Sequence, residues 1–189
     1  MGSRRLSYDS PVVLSFVFLS LAVLLLDKLT SGRASALLFC VYRSPLTDPL
    51  TWPRFVLHVL GHSGWEHYIG NMLMLLVVGP QAEARYGSGR LALAMLVTAL
   101  VSGLLHWALF PGTALLGASG IVFMLIVLSS FACAGRGELP LTLLLVLVLY
   151  LGRELVSMLS VSDNISHLSH IAGGLCGAVF GFALRPRQA

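Results

Sequence analysis

Apolar residues in this chain gather into long runs separated by short polar breaks, without the regular one-face-in, one-face-out alternation of a soluble helix or strand. Six runs stand out, at about 11–27, 67–84, 90–110, 115–134, 139–157 and 165–184. A helix rises about 1.5 Å per residue, so about 20 such residues cross a hydrocarbon layer about 30 Å thick. Each run is therefore expected to be a transmembrane helix. Most breaks are brief and rich in glycine, as in Tyr86-Gly-Ser-Gly89, Phe110-Pro-Gly112 and Gly135-Arg-Gly-Glu138. The exception is the connection at 28–65, which holds Pro45, Pro49, Pro53, Trp52 and Trp65 together with apolar patches such as Ala36-Leu-Leu-Phe-Cys40. A loop this long and this apolar is expected to lie in the membrane interface as short helices. The pattern predicts an all-α membrane protein, a six-transmembrane-helix bundle filling residues 1–189 as a single domain, with no internal repeat.

Composition strengthens that picture. The 189 residues are 57% hydrophobic and 11% charged, far from the roughly 25% charged norm of soluble domains. Arginines decide the orientation. Arg4, Arg5, Arg85, Arg90, Arg136, Arg185 and Arg187 fall on one side of the six spans, while the other side holds Lys28, Arg33, Arg43, Arg54 and Arg153, three of them well inside the long loop. The positive-inside rule then predicts both termini in the cytoplasm and the long loop outside. A signal-peptide reading of the first run, with Ala34-Ser-Ala36 as cleavage site, is disfavoured because that site lies well beyond the apolar stretch. The net charge of +4 comes largely from the inner arginines. With no basic stripe interleaved with aromatics, nucleic acid is not an expected partner; the lipid bilayer is. Cys40, Cys133 and Cys176 belong to the outer loop, the inner end of the fourth span and the sixth span, so no disulfide framework is expected.

Polar groups inside the spans carry the chemistry, since an ionisable or strongly polar side chain in hydrocarbon points to function. The second, fourth and sixth spans all enter from the outside, and each has one near its entry: Asn71, Ser119 and His170. Five or six residues from each outer boundary place these three roughly 10 Å deep, with His67 one turn shallower. Ser119 sits in Gly117-Ala-Ser-Gly120. The glycines fit either a tight helix contact or a nucleophile that must be approached closely and whose own N–H helps hold an oxyanion. His170 is followed by Gly173, Gly174 and Gly177 on the same helix face, a surface that lets another backbone come near. His67 and Asn71, four apart, share a face and could either anchor helices or donate to an oxyanion. His58 and His62 read as structural hydrogen-bonding groups where loop meets helix, and His106, beside Trp107, as interfacial. His167 and His170 are spaced for a metal but lack a third ligand, so no metal is expected.

In order, the chain holds Arg54-x3-His58-x3-His62-x4-His67-x3-Asn71, then Glu83-Ala-Arg-Tyr-Gly-Ser88, then Gly117-Ala-Ser-Gly120, then His170-Ile-Ala-Gly-Gly174. This set resembles the rhomboid intramembrane serine proteases over about residues 52–184. The resemblance implies a rhomboid-type bundle whose short fourth helix starts below the surface under a water-filled cavity. It implies Ser119 as nucleophile, His170 as general base and then acid without a carboxylate partner, and His67, Asn71 and the Ser119 amide as the oxyanion hole. Glu83 and Arg85 would tie down inner helix ends. No cofactor is implied, and the substrates would be transmembrane proteins cut near the outer face. Two departures are visible: Phe123 stands where the family often has a tyrosine stacked beneath the histidine, and Trp52-Pro-Arg54 stands where members commonly have Trp-Arg in sequence.

Two other readings compete with the protease. A catalytically silent rhomboid-like protein that binds membrane clients would have the same spans, and its usual mark, loss of Ser119 or His170, is not seen here. A small transporter would call for paired halves with discontinuous helices, which the sequence does not show. The compact six-span arrangement points to a bacterial inner membrane.

Overall fold

The computed structural model describes residues 7–132, 141–146, 148–149 and 164–184. Helix α1 (Pro11–Leu29) opens on a proline, whose missing N–H costs nothing in a first turn. Helix α2 (Thr51–Leu57) lies in the long loop, and α3 (Trp65–Tyr86) follows it. Next come α4 (Ser88–Leu109), α5 (Ser119–Ala132), α6 (Leu141–Val146) and α7 (Asn164–Ala183). A small antiparallel pair, β1 (Val41–Tyr42) with β2 (Ala114–Leu115), joins the long loop to the segment before α5.

Glu83 of α3 fixes the end where α1 begins. Its two carboxylate oxygens accept the Val12 and Val13 amides, each at 3.0 Å, and Oε1 also accepts the Ser88 hydroxyl at 2.7 Å. The first amides of a helix have no partner within it, and the helix dipole favours negative charge there. One buried carboxylate thus joins three helices. Just beyond it Gly87 has φ +86, a left-handed value that glycine adopts without strain, and this single residue separates α3 from α4. Nearby, Gly79 lets α1 in so closely that a Cβ there would stand 2.7 Å from a Val13 methyl. Tyr68 and Tyr86 donate their hydroxyls to the Val17 and Leu128 carbonyls. Arg85, expected to share the tethering role, is exposed and makes no such bond among the described residues.

Four expected spans correspond to α1, α3, α4 and α7 to within two residues at each end. The fourth differs: 115–134 was the expectation, whereas α5 starts at Ser119 because residues 114–115 are drawn into the strand pair and Gly117 turns the chain at φ +121. Counting residues from a span's edge therefore misjudges the position of Ser119, which is the first residue of its helix. Of the fifth expected span, 139–157, only α6 and residues 148–149 are among those described; Cys133, Arg136, Arg153 and both chain ends also lie outside them.

The long loop between α1 and α3 is ordered around Arg54, which is only 3% exposed. Its guanidinium donates to the Leu37 carbonyl at 2.9 Å, pairs with Asp48 at 3.1 Å and lies over the Tyr42 ring at 4.6 Å. Arg43 donates to the Trp107 and Ala108 carbonyls at the end of α4, where a cation meets the negative end of the helix. Trp52 is exposed and donates to the Leu46 carbonyl. Short helical turns do form in this loop, as the sequence predicts: α2, a π-helical turn at Ser35–Phe39 and a 3-10 turn at His58–Leu60. His106 differs from the interfacial reading. It is buried, with Nε2 hydrogen-bonded to the Thr113 carbonyl and its ring stacked on Phe110.

The core centres on α5, where Ile121, Val122, Met124, Leu125 and Leu128 are all buried. Large apolar side chains also face outward, among them Val77 at 59% and Phe182 at 73% exposed. Apolar surface on this scale is unfavourable in water and suits lipid. Among the described residues, α1 and α4 are each long and apolar enough to cross a membrane.

Two consequences can be measured by thermal unfolding in detergent. Glu83→Ala leaves the Val12, Val13 and Ser88 donors without their acceptor, so it should cost about 3 kcal/mol or more. Glu83→Gln, which keeps one acceptor oxygen, should cost less. Burial of His58 and His62 lowers the pKa of each to about 4. Because the folded value lies below the unfolded one, their contribution is intact above about pH 6.5 and is lost as pH falls toward 4. At pH 5 the loss from His58 alone is about 2 kcal/mol, and His58→Gln should flatten the acid limb of the stability profile.

Candidate active site

Ser119 is half-buried at the start of α5. What precedes it is held from two directions. The Gly117 amide donates to the His58 carbonyl at 3.0 Å, tying the turn before Ser119 to the 3-10 turn of the long loop. The antiparallel pairing of Val41 with Leu115 and Tyr42 with Ala114 holds the same segment two residues further back. The first helical bond of α5, from the Val122 amide to the Ala118 carbonyl at 2.9 Å, then starts the helix. The backbone N–H groups of its first turn, that of Ser119 included, have no acceptor within the helix and lie at its positive end.

The His67 ring presses against the same turn. A Cβ built on Gly117 would lie 2.7 Å from both Cε1 and Nε2 of His67, so only glycine leaves room for the imidazole edge. The opposite edge is satisfied by Ser63, whose amide lies 3.4 Å and hydroxyl 3.2 Å from Nδ1. A backbone N–H can only donate, which leaves Nδ1 of a neutral ring as acceptor and puts the proton on Nε2, the edge facing Gly117. Asn71, one turn along α3 and buried, donates one amide hydrogen to the His67 carbonyl at 2.9 Å. Its second N–H remains for another acceptor.

His170 approaches from α7. Its ring lies parallel to that of Phe123, 4.2 Å between centroids and 9° between planes. Phe123 is four residues after Ser119, one turn further along the same face of α5. The approach depends on glycine. A Cβ on Gly173 would run into the Gly120 carbonyl oxygen, one on Gly177 would stand 2.5 Å from the Met124 carbonyl oxygen, and one on Gly120 would stand 3.1 Å from the Ser169 carbonyl oxygen. Gly174 is buried in the same helix. The two backbones therefore meet at the level where Ser119, Phe123 and His170 project.

The structure thus sets His67 against the turn before Ser119, with Asn71 bonded to the His67 carbonyl one turn along α3, and stacks His170 on Phe123 one turn after Ser119. His167, one turn before His170, is only partly buried and lies nearer the start of α7. No group of three metal-ligating side chains occurs among the described residues. Sequence reasoning missed Ser63, which selects the His67 tautomer, and Gly103, where a Cβ would stand 2.5 Å from the Phe55 carbonyl oxygen. Gly103 seats α2 on α4. A lone serine or glycine in an otherwise ordinary stretch gave no signal for either.

Residues 49–187 match the sequence profile of the rhomboid domain. The chain is 31% identical over 140 residues to rhomboid-related protein 1 of Caenorhabditis elegans, covering 69% of this chain and 39% of that protein. It is 28% identical over 182 residues to the rhomboid protease GlpG of Yersinia enterocolitica, covering 93% and 63%, and 30% identical over 147 residues to mouse rhomboid-related protein 2, covering 69% and 47%. It spans less than two thirds of the length of each of these curated relatives. With the profile matching well over half of its residues, the chain belongs to the rhomboid family of integral membrane proteins.

Proposed function

We propose that the protein is an intramembrane serine endopeptidase in which Ser119 is the nucleophile and His170 the general base. The observation that carries this reading is the parallel stack of His170 on Phe123, which holds an imidazole one helical turn from Ser119. Among the named relatives, GlpG is called a rhomboid protease.

In the proposed reaction the Ser119 hydroxyl attacks the scissile carbonyl carbon while His170 takes its proton. Negative charge then develops on the former carbonyl oxygen. The Ser119 amide at the positive end of α5, the His67 Nε2–H and the remaining Asn71 N–H are donors suited to that charge. Collapse of the tetrahedral intermediate breaks the C–N bond, and His170 returns the proton to the leaving amine. Water, with His170 again as base, hydrolyses the acyl-enzyme. The stack on Phe123 supplies the ring orientation that a carboxylate supplies in a triad. The phenylalanine keeps the flat surface of the tyrosine often found there.

The substrates are proposed to be transmembrane proteins cut near the outer face, where extended backbone must be offered to Ser119 and an easily unwound helix lowers the cost. The wider arrangement is a six-helix, single-domain bundle with both termini cytoplasmic, in a bacterial inner membrane.

Cleavage of a reporter transmembrane substrate in proteoliposomes tests the assignment. Ser119→Ala and His170→Ala should each abolish turnover, whereas equal cleavage by all three proteins would discard the dyad. Absence of cleavage by wild type, with substrate still bound, would favour the client-binding alternative. Asn71→Ala removes one oxyanion donor and should slow turnover by about a hundredfold to a thousandfold while a fluorophosphonate probe still labels Ser119. Phe123→Ala should lower kcat through lost ring alignment, and Phe123→Tyr should retain it.

A further inference from the structure

The His67 ring meets its neighbours in two ways that carry different information. Toward Gly117 the contact is one of shape: a Cβ there would stand 2.7 Å from Cε1 and 2.7 Å from Nε2, the same distance to a carbon and to a nitrogen. Turning the imidazole over about its Cβ–Cγ bond exchanges those two atoms and leaves the outline of the ring almost unchanged. The fit against the turn before Ser119 therefore admits either orientation. Packing against His62, with ring centroids 5.0 Å apart and planes at 66°, fixes the plane of the ring rather than the order of its atoms. Asn71 bonds to the His67 carbonyl, and that bond bears on the backbone and not on the ring.

Ser63 tells the two orientations apart. Its amide at 3.4 Å and its hydroxyl at 3.2 Å both address Nδ1. Turned over, the ring would offer them the Cδ2–H group, which accepts no such hydrogen bond, and both contacts would be lost. The same two groups choose the tautomer, since a nitrogen that accepts from a backbone N–H carries no proton of its own. Two orientations and two tautomers make four arrangements of a neutral imidazole, and the one that satisfies Ser63 puts the proton on Nε2 at the Gly117 edge. We propose that Ser63 is a positioning residue: through its contacts with Nδ1 it holds His67 in the one orientation and tautomer that presents Nε2–H, rather than Cε1–H, to the oxygen of the substrate carbonyl. This rests on the reading of His67 as an oxyanion donor and adds a requirement to that role. Shape brings the ring to the turn before Ser119, and Ser63 decides which atom of its edge is the donor. Direction matters because a hydrogen bond weakens steeply once donor and acceptor fall out of line, and in the turned ring the N–H points along the former C–H bond.

Ser63 is exposed, so shortening it to alanine opens no cavity in the core. Ring-nitrogen NMR of the full chain in detergent, labelled with nitrogen-15 histidine, reads the state of the ring, with His67 assigned by the signals lost in His67→Gln. Wild type should show His67 with Nε2 protonated and Nδ1 bare. Ser63→Thr, which keeps the hydroxyl, should show the same, and Ser63→Ala, left with the longer amide contact alone, should show a mixture. On a reporter transmembrane substrate Ser63→Ala should lower kcat about twofold to fourfold at unchanged KM, the limit being one competent arrangement in four. Ser63→Thr should recover that loss, and Ser63→Ala added to His67→Ala should cost nothing further. Nδ1 protonated in wild type would overturn the proposal without any variant, as would His67 signals or a kcat that Ser63→Ala leaves unmoved. The same loss with and without the His67 side chain would overturn it too, by showing that Ser63 acts elsewhere. A wild type that does not cleave while His67 keeps the Nε2–H form would remove the protease reading and leave the hold of Ser63 on the ring supported.

Discussion

The Gly120 carbonyl of α5 occupies the place where any side chain on Gly173 of α7 would have to stand. Much of what is gathered around Ser119 depends on that missing Cβ. In a membrane, helices gain nothing by hiding apolar surface from one another, since lipid is as apolar as they are, and close backbone packing supplies the attraction instead. Gly173 and Gly177 allow that packing against α5, and Gly181 extends it toward Phe131. The consequence for chemistry is angular as well as spatial. With the helices this near, the His170 ring must lie flat against Phe123 rather than turn freely.

A second constraint acts on the other side of Ser119. The turn before it is bound to the long loop by the His58 carbonyl and the β1–β2 pairing. The long loop in turn depends on the buried Arg54, whose hydrogen bonds and ion pair gather the Leu37 carbonyl and Asp48 around it. Removing a guanidinium from water is costly unless it is well paired, and here Nε, Nη1 and the flat face each find a partner. The loop therefore behaves as a strut of defined shape, and its end sets where α5 begins. Glu83 plays the corresponding part at the opposite end of the helices.

Much of the fold was legible in the sequence. Hydrocarbon thickness fixes the length of an apolar run, and four of the expected spans appear as helices with nearly the expected ends. Polar groups inside such runs are few because they are expensive, so Asn71, Ser119 and His170 were conspicuous. The start of α5 was not legible, because Leu115 and Leu116 look as apolar in a strand as in a helix. Nor was the burial of His106, since its Thr113 partner lies across a turn whose shape the local residues do not dictate. Arg85 and Glu83 appeared equivalent as tethers, yet among the described residues it is Glu83 that bonds to neighbouring helices, because an acceptor is what helix starts require.

Sequence by itself determined that the chain is built of membrane helices, that a glycine-flanked serine and a histidine followed by spaced glycines stand on different ones, and which family the pattern resembles. Tertiary structure alone decided that Ser119 is the first residue of its helix, that the Nε2–H edge of His67 faces the turn before it, and that His170 is clamped on Phe123. These are matters of distance and angle between segments far apart in the chain. No local preference encodes them, and they follow only when close packing leaves each side chain a single place to go.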